Sequence, residues 1–387
     1  MYLILAEYSK EKDSFKALHR HLNRNHAIHP SVAVETALVL CEGYFGTPMG
    51  KTANGLVRRS KRFRIAGVID SRQEGRDAGE VLDGKKCGIP VFKSVDDAVA
   101  QLKSKPMWLI IGVASIGGML PSDFRPAVKK AIEEGIGIIS GLHEFLADDA
   151  EFTGLAEKHG IQILDIRREP TLEKLHAFMN RCAGLPVVRI PVLGTDSSIG
   201  KRTSALKLAD ALNEAGIRTE FVATGQTGLL QGAKYGVPLD AIQGDYMVGE
   251  LENAIVSAYD ENKPDIIIIE GQGSISHPAY VCGTRAIINA SKPSGIILQH
   301  APGRKIRNYK KDLLKLPMPD LADEIRMLEM FSKTKVIAIT INHENMTDDM
   351  IRKVKREYEK EFGIPAADVL KFGCDEIVKK IRELYSL

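Results

Sequence analysis

The chain has 387 residues, enough for two or three domains of about 150 residues each. Hydrophobic residues make up 44% and charged residues 27% of the sequence, which is ordinary globular composition and excludes a long disordered tail. Lysine and arginine number 53 against 50 aspartates and glutamates. This balance predicts neither a nucleic-acid partner nor a membrane-surface protein.

The cellular compartment is predicted from what the sequence lacks. The least polar run, residues 108–120, is shorter than the roughly 18 residues of a membrane span, and the first residues lack the basic leader of a signal peptide. The five cysteines lie far apart and never form a C-x-x-C pair, which argues against a disulfide framework or a cysteine zinc site. We therefore expect a cytoplasmic protein.

Short apolar runs alternate with amphipathic segments along most of the chain. This alternation predicts strands and helices in turn, and therefore α/β domains with mostly parallel sheets. The predicted strands cover residues 37–42, 64–70, 108–113, 136–140 and 161–166, and then 187–193, 219–223, 265–270, 295–299 and 335–342. The predicted helices cover residues 94–102, 126–134, 171–181, 201–215, 321–331 and 348–362.

The two series of strands predict two domains. We expect a helical, basic N-terminal extension over residues 1–33, a first α/β domain over 34–185 and a second over 186–387. The closing helix over 171–181 and a linker over 182–186 separate the two series.

Glycines follow the first predicted strand, and an acid ends the second. Gly43, Gly46 and Gly50 lie between the first strand and a helix, and Asp70 closes the next strand. This order resembles the start of a dinucleotide-binding domain, although the glycine spacing is not the standard one. The four residues are therefore candidates for cofactor binding. The alternative is a tight strand–helix turn with a capping aspartate.

The strongest motif is a glycine-bounded turn between the strand 187–193 and the helix that starts at residue 201. Such a turn points several backbone N–H groups at one spot, and Lys201 can reach a second phosphate. Relative to G-x-x-x-x-G-K-[ST], the first glycine comes one residue early and Arg202 replaces the hydroxyl. The alternative is a turn that only lets strand and helix pack. The candidate phosphate-binding residues are Gly194, Thr195, Asp196, Ser197, Ser198, Gly200, Lys201, Arg202 and Thr203.

Two acids are candidates for chemistry in the second domain. Glu270 follows four isoleucines, a pattern typical of a strand buried on both faces whose carboxyl end meets a ligand. Such an acid beside a phosphate loop commonly holds Mg²⁺, and a capping or ion-paired Glu270 is the alternative. Asp245 starts a predicted helix, where it is either a second functional acid or an N-cap.

Further polar residues follow strands at the same predicted edge. Gln226 and Thr227 come after the strand 219–223, while His300 and Arg304 come after the strand 295–299, where they could meet a substrate carboxylate. His277 lies just beyond Glu270 and could act as a base. The alternative for His277 is an ordinary turn residue.

The loop and the acid carry a first resemblance. Gly194-Thr-Asp-Ser-Ser-Ile-Gly-Lys, followed by Ile-Glu-Gly-Gln-Gly, resembles the dethiobiotin synthetase branch of the P-loop proteins. That resemblance implies Mg²⁺ with ATP or GTP, with Asp245 and Glu270 as metal ligands. The third ligand, a hydroxyl, maps to Arg202, and Thr203 is rotated by about 100° around the helix. The departure suggests a phosphate that is bound but not cleaved.

Two further resemblances concern the first domain and the whole chain. Lys86-Cys-Gly-Ile-Pro-Val-Phe resembles the CoA-binding domain of succinyl-CoA synthetases, over about residues 64–168. The order of all the motifs, from Leu40-Cys-Glu-Gly-Tyr-Phe-Gly to Glu270-Gly-Gln-Gly-Ser, resembles the two-domain family named after D-glutamate N-acetyltransferase, over about residues 34–387. This resemblance implies a Rossmann-like domain followed by a P-loop domain, and acetyl transfer from acetyl-CoA to the amine of a D-amino acid.

The leading hypothesis is therefore an acetyl-CoA-dependent N-acetyltransferase that acts on a small D-amino acid such as D-glutamate, with Glu270 or His277 as the base. The alternative is an ATP- or GTP-dependent ligase or kinase, with Lys201, Asp245 and Glu270 around Mg²⁺. A nucleotide-sensing regulator is a third, non-enzymatic hypothesis. We also expect a homo-oligomer.

Overall fold

The structure is a computed structural model that describes residues 35–387 of the chain. The predicted extension over residues 1–33 lies outside these residues. The chain forms two compact units. The first ends at Lys174 and also contains Leu230–Lys234, and the second contains Leu175–Leu229 and Tyr235–Leu387.

The first unit is built on a six-stranded sheet in which every pairing is parallel. Its strand order is β3-β2-β1-β4-β5-β6, which is the doubly wound Rossmann order. The strands are β1 (Glu35–Leu40), β2 (Phe63–Ile69), β3 (Val91–Phe92), β4 (Trp108–Ile111), β5 (Gly137–Ser140) and β6 (Ile163–Asp165). The helices are α1 (Lys51–Arg58), α2 (Ala78–Asp83), α3 (Val95–Gln101), α4 (Arg125–Glu133) and α5 (Ala150–His159).

The second unit is built on a seven-stranded parallel sheet with the order β13-β12-β11-β7-β10-β8-β9. Its strands are β7 (Val188–Gly194), β8 (Thr219–Ala223), β9 (Tyr235–Gly236), β10 (Ile266–Glu270), β11 (Ile296–His300), β12 (Val336–Ile341) and β13 (Ala366–Ala367). Its helices are α6 (Lys201–Glu214), α7 (Gln226–Leu230), α8 (Gly244–Asn262), α9 (Gly283–Ser291), α10 (Lys311–Leu314), α11 (Leu321–Ser332), α12 (Asp348–Phe362) and α13 (Asp375–Tyr385). The predicted fold class, two parallel-sheet α/β domains, is confirmed.

Strand β10 lies in the middle of this second core. Its four isoleucines are fully buried, and they alternate between the two faces of the sheet. Ile267 and Ile269 pack into one hydrophobic cluster, whereas Ile266 and Ile268 pack into the other. The sheet is therefore covered on both faces, as the isoleucine run predicts. Because all the strands are parallel, their carboxyl ends meet at one edge, and the candidate site is built there.

The helix predicted over residues 171–181 is wrong. The segment contains only 3-10 turns, at Leu172–Lys174 and Arg181–Gly184. Between them, the backbone N–H groups of His176 and Met179 donate to side chains of α8, Glu250 at 2.6 Å and Glu252 at 2.8 Å. Gly249 of α8 lets this backbone approach closely, since a Cβ there would collide with His176 O. Tertiary hydrogen bonds thus replace the helical ones.

These contacts also place the segment from Leu175 onward in the second unit, although the sequence predicts a boundary after residue 185. The predicted linker over 182–186 begins inside a 3-10 turn, and Cys182 is fully buried there. Conversely, the side chain of Gln231 donates to Gly55 O at 2.7 Å and to Arg59 O at 3.0 Å within the first unit. Over residues 35–387, no helix has both the length and the hydropathy of a bilayer span.

Candidate functional site

The turn between β7 and α6 wraps around the side chain of Lys201. A Cβ on Gly194 would lie 2.8 Å from Cδ of Lys201, and one on Gly271 would lie 3.0 Å from the same atom. Glycine at both positions therefore makes room for the lysine stem. The buried Lys201 ammonium donates to Asp196 O at 2.5 Å. Gly200 enters the helix with a φ of +98°, a conformation that glycine adopts without strain.

Arg304 anchors this loop from the end of β11. Its guanidinium donates to the Asp196 carboxylate at 2.9 Å, to Ser197 O at 3.0 Å and to Ser198 O at 3.1 Å. Glu344 holds the other side of the guanidinium at 3.0 Å. Ser198 has a φ of +51°, which the arginine contact helps to fix. Arg304 thus binds the loop backbone, and its contact with a substrate carboxylate stays a prediction.

His300, the last residue of β11, contacts the phosphate loop through Thr195. Its Nδ1 lies 2.9 Å from Oγ1 of the fully buried Thr195, and the Thr195 N–H donates to Gln299 O at 3.1 Å. Burial lowers the pKa of His300 to about 4. The side chain is therefore a neutral hydrogen-bonding partner of the loop at neutral pH.

We expect His300 to make the folded chain sensitive to mild acid. Its pKa is about 4 in the folded chain against an ordinary value of 6.5, so in that window the unfolded chain binds a proton that the folded chain does not. The free energy of unfolding therefore falls as the pH drops from 6.5 towards 4. Urea denaturation of wild type and His300→Gln at about pH 7 and about pH 4.5 tests this, and wild type should lose on the order of 2 kcal/mol more than the variant. Equal losses would contradict the prediction.

Glu270, the last residue of β10, contacts the loop that follows β8. One carboxylate oxygen accepts the Thr224 N–H at 3.0 Å, and a Cβ on Gly228 would lie 2.7 Å from that oxygen. Burial raises the pKa of Glu270, while the nearby charge of Arg202, the backbone N–H groups and Lys201 oppose the rise. Gln226 and Thr227, which the sequence places at this edge, are buried in the first turn of α7, directly after that loop. The structure therefore gathers an acid and two cations around the start of α6.

The ligand set of the dethiobiotin synthetase branch does not fit Mg²⁺ here. A guanidinium, that of Arg202, takes the place of the hydroxyl ligand and lies close enough to lower the pKa of Glu270. Asp245 is exposed in the first turn of α8, whose N-cap is Gln243, so it is not the cap either. Thr203 is half-buried one position beyond Arg202. Within residues 35–387, no three His, Cys, Asp or Glu side chains gather as a metal site.

His277 packs against the phosphate loop from the segment after β10. Its Nδ1 accepts the backbone N–H groups of Ala279 and Tyr280, both at 3.1 Å. Its Nε2 lies 3.5 Å from Oδ1 of Asp196. Burial and the charge of Arg307 lower the pKa of His277. A neutral ring whose Nδ1 accepts two hydrogen bonds carries its proton on Nε2, so His277 suits a hydrogen-bond donor.

Two residues of the site, Arg307 and Glu324, are missed by the sequence interpretation. The buried Arg307 guanidinium donates to Thr195 O at 3.1 Å and to Oγ of Ser274 at 2.9 Å and of Ser276 at 2.7 Å. Ser276 in turn donates to the fully buried Glu324 of α11. In the sequence, Glu324 stands beside another acid in the first turn of α11, a pattern typical of a solvent-exposed turn. Only the fold shows that these groups join the phosphate loop to the segment of His277.

In the first unit, the residues predicted to bind a cofactor shape the turn after β1 and accept backbone hydrogen bonds. Gly43 and Gly46 have φ values of +71° and +82° after β1, and a Cβ on Gly50 would collide with Tyr44 O. Both carboxylate oxygens of the buried Asp70 accept backbone N–H groups at 3.0 Å, one from Phe45 and one from Arg72. This matches the capping alternative for Asp70, and cofactor binding by these residues stays a prediction.

Comparison with known proteins gives two family matches. Residues 71–169 match DUF1611_N, a domain of unknown function described as Rossmann-like. Residues 176–378 match DUF1611_C, a domain of unknown function described as a P-loop domain. The two matches follow the two units in order.

Individual relatives extend over most of the chain. The D-glutamate N-acetyltransferase of a Pseudoalteromonas species is 31% identical over 277 residues, which are 70% of this chain and 80% of the relative. The enzyme of the same name from Tritonibacter scottomollicae is 31% identical over 280 residues, 70% of this chain and 79% of the relative. The crystal structure of a DUF1611 family protein from Anabaena variabilis superposes with a TM-score of 0.82 at 32% identity and covers 90% of this chain and 99% of that chain.

Proposed function

Since this chain belongs to the two-domain DUF1611 family, we propose that it is an N-acetyltransferase that moves the acetyl group of acetyl-CoA to the amino group of D-glutamate or a similar small D-amino acid. The observation that carries the proposal is the 31% identity to two relatives named for D-glutamate N-acetylation, each over 70% of the chain. The predicted family resemblance is confirmed by the same matches, whereas the acetyl donor and the amino acid belong to the proposal.

The phosphate loop supplies the donor site in this proposal. Coenzyme A carries several phosphate oxygens, and Lys201, the N–H groups of residues 195–200 and the start of α6 offer cationic and dipolar partners to them. Arg202 adds a second cation at the position where phosphoryl-transfer enzymes place a metal-binding hydroxyl. A cation in place of that hydroxyl suits phosphates that stay intact during the reaction, as those of acetyl-CoA do.

The opposite side of the loop supplies the acceptor site. Glu270 is a buried acid beside a polar loop, where its charge attracts the substrate ammonium group. Gln226 and Thr227 offer hydrogen-bonding groups at the start of α7, which follows that loop. With these assignments the amine lies beside the phosphate loop, and the aromatic residues around His277 surround the acetyl group.

Calorimetric titration of the purified chain tests the donor assignment, with acetyl-CoA and NAD in metal-free buffer and ATP both without metal and with Mg²⁺. We expect acetyl-CoA to bind and to release heat at a single site per chain. Binding of Mg²⁺–ATP with no detectable binding of acetyl-CoA would contradict the proposal and favour the ligase or kinase alternative.

Acetyl transfer is expected to continue at full rate in excess EDTA. The reason is that Arg202 takes the place of the hydroxyl ligand, so the proposed reaction needs no bound metal ion. The measurement is the initial rate of CoA thiol release in the presence of D-glutamate, with and without the chelator. A rate lost on chelation and restored by Mg²⁺ would contradict this prediction.

A further inference from the structure

Two buried polar atoms of the second unit face each other, and neither has a hydrogen-bond partner among residues 35–387. They are Oδ1 of Asp196 and Nε2 of His277, and they lie 3.5 Å apart. Both side chains are almost completely buried. Buried polar atoms are nearly always hydrogen-bonded, because an unpaired one costs about 1–3 kcal/mol. The pair therefore points to a group that binds between them.

The remaining polar atoms of both side chains are already used. Oδ2 of Asp196 accepts from Arg304 at 2.9 Å and from the Asn308 N–H at 2.8 Å. Nδ1 of His277 accepts the N–H groups of Ala279 and Tyr280. These bonds fix both side chains in place, and they leave one free acceptor, Oδ1, beside one free donor, the Nε2–H. A ligand that fits must donate to the first and accept from the second.

The reacting centre of an amide-forming acyl transfer has this pattern. The attacking nitrogen carries hydrogens that it must lose, and the carbonyl oxygen bonded to the same carbon gains negative charge. We propose that Oδ1 of Asp196 is the general base for the attacking amine and that Nε2–H of His277 is the donor that stabilises the carbonyl oxygen. This inference rests on the proposed acetyl transfer.

The step balances without a further reactant. The substrate ammonium first releases one proton to solvent, and the neutral amine then attacks the thioester carbon. Oδ1 of Asp196 takes a proton from the nitrogen as the C–N bond forms, and the carbonyl electron pair moves to the oxygen beside His277. The electron pair on the oxygen then re-forms the carbonyl bond as the C–S bond breaks, the sulfur leaves with the electron pair of the C–S bond, and Asp196 returns the proton to the sulfur. The products are the N-acetyl amino acid and the CoA thiol.

Two tyrosine rings pack against His277. The ring centroid of Tyr280 lies 4.7 Å from that of His277, and the ring of Tyr309 meets the His277 ring edge-on at 5.9 Å. The two tyrosines also contact each other at 5.3 Å. The side chains of Asp196 and His277 are themselves buried, and a hydrogen bond to a developing charge is stronger in a buried site than in water.

The test uses Asp196→Asn and His277→Gln in the full chain. Asp196→Asn keeps an oxygen for Arg304 and the Asn308 N–H but removes the base, so we expect kcat to fall by about 10²–10⁴. His277→Gln should lower kcat by about 10²–10³, the usual loss for an oxyanion donor. In both variants the acetyl-CoA dissociation constant should stay within threefold of wild type and the melting temperature within a few degrees. The matched controls, Asp349→Asn and His159→Gln, replace exposed residues and should leave kcat unchanged.

The outcomes separate this inference from the proposed function. If wild type forms no N-acetyl product, the proposed function fails and the inference with it. If wild type forms product and both variants keep kcat within threefold, only the assignment of Asp196 and His277 is overturned. A rise in the acetyl-CoA dissociation constant as large as the fall in kcat would also overturn it, because it would place the two residues in donor binding. If Asp196→Asn unfolds, His277→Gln alone decides between these results.

Discussion

Replacing Glu270 with glutamine is expected to raise the KM for the D-amino acid about a hundredfold at saturating acetyl-CoA. The buried carboxylate supplies the negative charge that attracts the substrate ammonium, and glutamine keeps its shape and the acceptor for the Thr224 N–H without the charge. Unit charges about 4 Å apart at a protein surface attract by about 4 kcal/mol, and a hundredfold change corresponds to about 2.8 kcal/mol. Steady-state kinetics over a range of D-glutamate concentrations measure the effect.

Other roles for Glu270 predict different results for the same variant. If Glu270 is a general base, Glu270→Gln lowers kcat by about 10²–10⁴ and leaves KM unchanged. If Glu270 is a metal ligand, the variant loses nucleotide-dependent turnover and Mg²⁺–nucleotide binding together. If Glu270 is a capping residue, the variant has a melting temperature lower by several degrees, with turnover per folded molecule unchanged. Any of these three patterns would contradict the electrostatic role assigned to Glu270.

Replacing Lys201 with alanine is expected to raise the dissociation constant of acetyl-CoA by more than tenfold. The lysine stem is held between Gly194 and Gly271, so its ammonium group is already positioned when the phosphates arrive. Hydrogen bonds to charged groups contribute about 1.5–3 kcal/mol, and tenfold corresponds to about 1.4 kcal/mol. Calorimetric titration of wild type and variant measures the change.

The matched control is Lys207→Ala, which removes an exposed lysine from the same helix. It should change the dissociation constant by no more than twofold, since an exposed side chain of α6 does not take part in the loop. Equal constants for Lys201→Ala and wild type would rule out the loop from Gly194 to Thr203 as the acetyl-CoA site.

The long strands and the phosphate loop are predictable because local patterns determine them. The isoleucines of β10 can only be buried on both faces of a sheet, and strand β8 matches its predicted range of 219–223. Strands β3, β9 and β13 are not predicted because each has two residues, too few to show a period. Their pairing depends on the neighbouring strand rather than on their own sequence.

The site is less predictable because its chemistry depends on distant partners. The helical pattern of residues 171–181 gives way to hydrogen bonds with Glu250 and Glu252, which lie more than seventy positions away in sequence. The role of His277 also depends on its partners. Its residue type suggests a base, but in the structure its Nδ1 already accepts two backbone N–H groups and cannot take a proton from a substrate. Arg307 and Glu324 carry no sequence pattern that separates them from solvated charges.

The proposed acetyl transfer is tested most directly with acetyl-CoA labelled in its acetyl group, D-glutamate and the purified full chain, in excess EDTA and without nucleotide. We predict labelled N-acetyl-D-glutamate and one CoA thiol for each molecule formed. Release of CoA thiol without labelled amide would show hydrolysis instead of transfer. The absence of labelled amide under these conditions, with product appearing only when Mg²⁺ and ATP or GTP are added, would contradict the proposed acetyl transfer and favour the ligase or kinase alternative.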